Sequence, residues 1–276
     1  MAKLIISVAL TGSWTTRQHT PYVPLTPAEI AEQAVASWRA GAAVAHIHVR
    51  DANGVITCDP RLYAEVRDRI RAAGCDIILN FSTGGGAGRT SEDERIAPVT
   101  LRPEIASFDA GSTNFGEGVF TNSPAFLARL ARTMLEYGVK PEIECFDAGM
   151  ITTALRMAEE GLLARPLYFQ FVLGIKGAAP ATVAQLAYMV SMLPPETPWS
   201  VCSVGRHQLP MNLAAIIMGG HARTGLEDNV YYARGVLAAG NAHLVARLAR
   251  LARELGRPPA SPDEARAMLG LKTAEH

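Results

Sequence analysis

The sequence is sparing in charge, aromatic residues and cysteine. Charged residues are 19% of the 276, and Lys+Arg and Asp+Glu balance at 26 each, giving a formal net charge of zero. A chain with no basic excess lacks the electrostatic footprint of a nucleic-acid or anionic-membrane binder. The four cysteines, Cys58, Cys75, Cys145 and Cys202, lie far apart. Their spacing excludes a Cys-x-x-Cys metal or redox motif and reads as reduced thiols in a cytoplasmic protein. No apolar run approaches the roughly 20 residues of a membrane helix. The opening Met1-Ala2-Lys3 runs directly into Leu4–Leu10, which reads as a first strand and not as a signal segment. No linker rich in Pro, Ser or charge divides the chain.

What is present is a regular alternation. Hydrophobic residues are 49%, a globular composition with enough length for a large core. Short apolar runs alternate with amphipathic segments from end to end. The runs are Leu4–Leu10, Ala45–Asp51, Asp76–Ser82, Ile105–Ala110, Glu142–Phe146, Leu167–Leu173, Trp199–Val204 and His221–Gly225. Between them, helix starts recur: Thr26-Pro27-Ala28-Glu29, Asp59-Pro60, Ser123-Pro124 and Ala179-Pro180-Ala181-Thr182 place a capping residue or Pro at the first turn. A helix is expected from Leu213 to Met218 and a closing one from about Ala242 to Leu255. Eight βα units of about 34 residues each predict a (β/α)₈ TIM barrel in one domain, 1–276. A doubly wound open sheet is the competing architecture, since periodicity does not show closure. The Pro-rich stretch 257–262 leads into a short C-terminal helix, so 257–276 reads as a helical extension.

In a barrel, reactive groups gather at the C-terminal ends of the strands. His46 and His48 alternate on one strand, so their imidazoles project to one face about 6–7 Å apart and can close on one metal ion. Glu227 is the best third ligand by spacing, because the eighth strand lies beside the first and near the second in a closed barrel. A His₂Glu set leaves zinc an open position for a substrate oxygen. Arg223 and Asp228 flank Glu227. An Arg beside an Asp orients a base or binds a substrate carboxylate. Ser82-Thr83-Gly84-Gly85 offers backbone donors to an anion. Glu144 sits among apolar neighbours, where a charge must be paired or functional. Gly205 and Arg206 follow the seventh strand, where many barrels hold phosphate.

Six stretches taken together resemble the β-keto acid cleavage enzyme family, founded on 3-keto-5-aminohexanoate cleavage. They are His46–Asp51, Ser82–Gly85, Phe108–Phe115, Lys140–Asp147, Val204–Gln208 and Met218–Asn229. The resemblance spans nearly the whole chain. It implies zinc on His46, His48 and Glu227, and a reaction of a β-keto acid with acetyl-CoA that gives acetoacetate and a new acyl-CoA. It implies that Asp228, supported by Arg223, takes the C2 proton, and that Ser82, Ser107 and Glu144 hold substrate and tetrahedral intermediates. Ser107 stands where the founding type has Thr. Thr83, Gly84 and Gly85 would meet the substrate, and Gly205 and Arg206 the coenzyme A. A homotetramer is also implied.

One departure bears on the substrate. The aminohexanoate-cleaving type carries an acidic residue where this chain has Trp14. An indole does not neutralise a primary ammonium but can cover an apolar chain or stack on a quaternary one. The expectation is therefore a substrate other than 3-keto-5-aminohexanoate. Two other classes compete. A metal-dependent C–C lyase or hydrolase would use the same ligands without coenzyme A. A non-catalytic binding barrel would tolerate loss of His46 or Glu227.

Overall fold

All eight apolar runs pair into one closed parallel barrel. The strands are β1 (Ile6–Ala9), β2 (Val44–Ile47), β3 (Ile78–Phe81), β4 (Ile105–Asp109), β5 (Lys140–Cys145), β6 (Phe169–Leu173), β7 (Trp199–Ser203) and β8 (His221–Thr224). β1 pairs with β2 on one side and β8 on the other, which closes the ring and removes the open-sheet alternative. The computed structural model describes residues 3–86 and 88–271.

The helices among these residues are α1 (Pro27–Ala40), α2 (Pro60–Ala72), α3 (Glu92–Ile96), α4 (Pro124–Tyr137), α5 (Ala148–Glu159), α6 (Val183–Ser191), α7 (Gln208–Ile217), α8 (Asn241–Glu254) and α9 (Pro262–Leu269). None is long and apolar enough to cross a membrane. Local sequence accounts for their ends. In α1 the Thr26 hydroxyl accepts from Glu29 N while the Glu29 carboxylate accepts from Thr26 N, and Gly41 stops the helix at φ 115°.

Residue parity decides which side chains face the helices. Outward-pointing Ala45, Ile47, Leu79 and Phe81 pack on Ile30, Ala34, Tyr63 and Val66. Inward-pointing Ile5, Val44, Ile78, Ile105 and Tyr168 form an apolar lower layer capped by Ala265 and Leu269 of α9. The 257–262 stretch is therefore more than a lead-in. Leu4 N donates to Pro258 O at 2.9 Å and Ala260 N to Leu4 O at 2.8 Å. Arg266, its side chain 1% exposed, pins α9 through Asp76 at 2.7 Å and Glu104 at 2.6 Å. Residues 272–276 of the expected extension lie outside the described residues, as do Met1, Ala2 and Ala87.

Three local expectations change. The second strand breaks at His48. Val49–Arg50 then leaves the barrel and pairs antiparallel with Ile56–Thr57. α7 starts at Gln208, five residues before the expected Leu213, because Pro210 falls in the first turn, where no backbone N–H is needed. Two further hairpins, Thr113–Phe115 with Gly118–Phe120 and Tyr231–Ala233 with Val236–Leu237, stand on the strand-to-helix connections.

Candidate active site

His46 is the last inward-facing residue of β2, and His48 sits at the break just beyond the strand. Their rings still meet, with centroids 5.1 Å apart at 67°. Glu227 comes from the turn after β8. That turn is tied to β1 by Glu227 N donating to Ala9 O at 3.2 Å, and to the β1 loop by the Thr15 hydroxyl donating to Leu226 O at 3.0 Å. Oε1 of Glu227 then lies 3.7 Å from His46 Nε2 and 3.6 Å from His48 Nε2. The three ligand atoms all fall within 4.8 Å of one another.

This donor set fits a zinc ion. Bonds of about 2.0–2.1 Å at tetrahedral angles would separate ligand atoms by about 3.4 Å. Oε2 of Glu227 is buried with no hydrogen-bond partner. Burial, helped by Arg223, pushes the His46 pKa well below its ordinary value, which keeps the ring neutral and able to ligate. Burial alone would raise Glu227, but Arg223 and then His48 outweigh it and hold the carboxylate ionised.

Arg223 organises the remaining acids. Its Nε and Nη2 grip Asp228 bidentately at 3.0 and 2.9 Å, and Nη2 also reaches Glu227 at 2.6 Å. Nη1 reaches Gln170 at 3.2 Å and Glu144 at 3.5 Å. Burial raises Asp228 against the pull of Arg223, so this carboxyl holds a proton more readily than a free aspartate. Burial, then the neighbouring Asp109, pushes Glu144 well above the carboxylate range. Glu144 thus holds a proton more readily than a free glutamate.

The hydroxyls are aimed by backbone. Ser82 Oγ accepts from Gly84 N at 3.1 Å and Ser107 Oγ accepts from Thr83 N at 3.0 Å. Both serines line a cavity of about 320 Å³ together with His46, His48, Glu144, Arg223, Glu227 and Asp228. Gly84 also lines it, and Trp14 stands at its outer wall, 59% exposed.

Other expected residues lie elsewhere. Thr83 is turned away, its hydroxyl donating to Ser107 O at 2.9 Å. Gly85 makes the turn at φ 56°, where Thr90 donates to its carbonyl at 2.9 Å. Gly205 is used in the fold, donating its N–H to Asp228 O at 2.8 Å, and Arg206 is exposed beside it. Neither is among the residues lining the cavity.

Sequence reasoning missed the aromatic wall. Phe115 and Phe120 sit on the hairpin after β4, with Phe115 5.9 Å from Trp14 and 6.4 Å from Phe120. Only the hairpin brings these rings against the β1 loop, so periodicity carried no signal. Lys176 also reaches the wall, where its ammonium is paired with the exposed Glu117 at 2.5 Å.

Residues 3–271 match the family described as beta-keto acid cleavage enzyme. The chain is 45% identical over 273 residues to a 3-keto-5-aminohexanoate cleavage enzyme of Fusobacterium nucleatum, covering 99% of both chains. It is 43% identical to a 3-oxoadipate:acetyl-CoA acetyltransferase of Cupriavidus necator, covering 98% of this chain and 96% of that one. Among solved structures, apo ObcA superposes with a TM-score of 0.83 at 22% identity over 92% of this chain and 66% of its own, which is a likeness of fold. A barrel closed on a His₂Glu cluster, matched over its length to one enzyme family, belongs to that family: this chain is a member of the beta-keto acid cleavage enzymes.

Proposed function

We propose that this chain converts a β-keto acid and acetyl-CoA to acetoacetate and a new acyl-CoA, with zinc held by His46, His48 and Glu227. The observation that carries the reading is the meeting of that ligand set with the Arg223–Asp228 pair at one cavity. Zinc bound there would supply a Lewis acid that draws charge from the β-keto oxygen. Asp228, oriented by two hydrogen bonds from Arg223, takes the C2 proton, and its raised pKa suits it to hold that proton and return it. Ser82 and Ser107 each accept a backbone N–H, so what they offer the cavity is an O–H for the substrate carboxylate or a developing oxyanion. Glu144, on the strand beside that of Ser107, adds a carboxyl that holds a proton readily. Arg206 and Gly205, at the rim after β7, serve the coenzyme A.

The same reading excludes 3-keto-5-aminohexanoate as the preferred substrate. At the outer wall the aromatic side chains Trp14, Phe115 and Phe120 offer no carboxylate, and the acidic lining residues Asp109, Glu144, Glu227 and Asp228 are all deep in the cavity. Among the described residues the one cation at that wall, Lys176, is paired with Glu117, so a distal group other than a primary ammonium fits there. The four cysteines are buried and free, which accords with a cytoplasmic enzyme, and a homotetramer is the proposed assembly.

The test is a coupled assay. Metal-analysed protein receives acetyl-CoA and a panel of neutral, anionic and cationic β-keto acids, and acetoacetate is followed. Acetoacetate that requires both acetyl-CoA and zinc supports the reading. Substrate cleavage without acetyl-CoA would replace it with a metal-dependent C–C lyase or hydrolase.

A further inference from the structure

One layer of the barrel interior has no part in the reaction proposed above. The odd-numbered strands contribute Ser7, Asn80, Glu142 and Ser200 to it, all buried, where barrels usually stack branched apolar side chains. The register places Asn80 beside His46 and Glu142 beside Ser107. Asn80 Nδ2 donates to Glu142 Oε2 at 2.6 Å. That leaves Glu142 Oε1 and Asn80 Oδ1 buried with no hydrogen-bond partner, and Nδ1 of His46 is in the same condition. A ring nitrogen of His46 and carboxylate oxygens of Glu142 and Glu144 lie within 4.8 Å of one another.

A buried acid is costly to keep beneath a metal cluster unless something uses it. Unpartnered polar atoms in a polar recess are satisfied by ordered water, and two hydrogen bonds of about 2.8 Å meeting at one water span about 4.6 Å. Neutral imidazole carries one proton, and whichever nitrogen finds an acceptor keeps it. His46 Nε2 is the nitrogen that faces Glu227, so a useful His46 must carry its proton on Nδ1.

We propose that Glu142 is a positioning residue for His46: with Asn80 and one ordered water it accepts the Nδ1–H of His46 and so presents a bare Nε2 toward Glu227. The use of that tautomer rests on the metal reading given above; its presence in the metal-free chain requires Glu142 and Asn80 to outcompete Glu227, which lies 3.7 Å from Nε2 and is already held by Arg223. Ligating histidines commonly have such a carboxylate behind them, and losing it costs about 10–100-fold in metal affinity.

The test begins with the native metal-free chain. A long-range ¹H–¹⁵N spectrum, with the His46 signals identified by their loss in His46→Gln, should show Nδ1 protonated and Nε2 bare. In Glu142→Leu the His46 tautomers should become mixed, and zinc affinity, measured by competition with a chromophoric chelator, should fall about 10–100-fold. Glu142→Gln keeps an acceptor and should keep both the tautomer and the affinity. A native His46 protonated on Nε2 overturns the proposal. So does Glu142→Leu with native affinity, or a native chain that binds two zinc ions and loses one in Glu142→Leu, which would make Glu142 a ligand. If Glu142→Leu does not fold, the native spectrum and Glu142→Gln decide. An enzyme that makes no acetoacetate yet shows the Nδ1–H tautomer would lose the functional reading and keep this one.

Discussion

Gly12 and Glu227 share one space: a Cβ built on Gly12 would lie 2.4 Å from Cγ of Glu227 and 3.0 Å from its carboxyl carbon. Gly12 also has φ 65°, a conformation that costs a side chain about 1 kcal/mol. The β1 loop therefore forms the back wall of the third ligand. Gly12→Ala is expected to fold with a modestly lower Tm and to bind zinc at least about tenfold more weakly, a shift of about 1.4 kcal/mol. Chelator competition checks it, and unchanged zinc affinity would show that Glu227 is not the ligand or that the loop yields freely.

Trp14 is the residue on which the substrate preference turns. It is 59% exposed at the cavity wall and faces Phe115. Trp14→Glu puts a carboxylate where a distal ammonium would sit. kcat/KM for 3-keto-5-aminohexanoate should rise about tenfold or more, the worth of one charged hydrogen bond, while that for an apolar β-keto acid falls. A native enzyme that already prefers the amino substrate would overturn the argument.

His221 gives the fold an acid limit away from the metal ligands. Its Nδ1 accepts from Ile5 N at 3.2 Å, and burial, with Arg257 beside it, pushes its pKa down from 6.5 to about 3. The folded value lies below the unfolded one, so the unfolded chain takes up the proton first. The stability tied to this neutral ring is complete above pH 6.5 and is lost as pH falls toward 3. At 1.36 kcal/mol per unit, about 2 kcal/mol should go between pH 6.5 and 5. His221→Asn keeps an acceptor near Nδ1 and removes the titration. Denaturant unfolding at pH 7.5 and 5 should show a smaller loss for the variant, and equal losses would assign the acid limit to other groups.

Arg266 fastens the floor of the barrel. Replacing it with Leu leaves Asp76 and Glu104 facing each other without their shared cation. Because Asp76 and Glu104 are partly exposed, the loss should cost about 2 kcal/mol, or roughly 4–8 °C in Tm for a chain of this size. Thermal unfolding measures it. A Tm within 2 °C of native, on the scale of about 2–4 °C per kcal/mol, would show the network to be solvated and weak.

Much of this was legible in the chain itself. The alternation of apolar runs with capped amphipathic segments predicts the barrel, because strand and helix periods depend only on near neighbours. His46, His48, Arg223, Glu227 and Asp228 could be picked out because each lies on or just beyond a strand end, and barrels put those ends at one mouth. Closure, by contrast, needed the pairing of β1 with β8, a contact across more than two hundred residues. The break at His48 also depended on tertiary structure, since Val49–Arg50 found a partner in Ile56–Thr57 outside the barrel. So did the aromatic wall, built when a hairpin after β4 folds against the β1 loop. Glu142 and Glu144 share a strand and a parity, yet one reaches the cavity and the other lies beneath His46. Sequence fixes which face a residue takes, through a repeat of two. How deep it sits is set by strand stagger around the closed ring, and no local pattern records that.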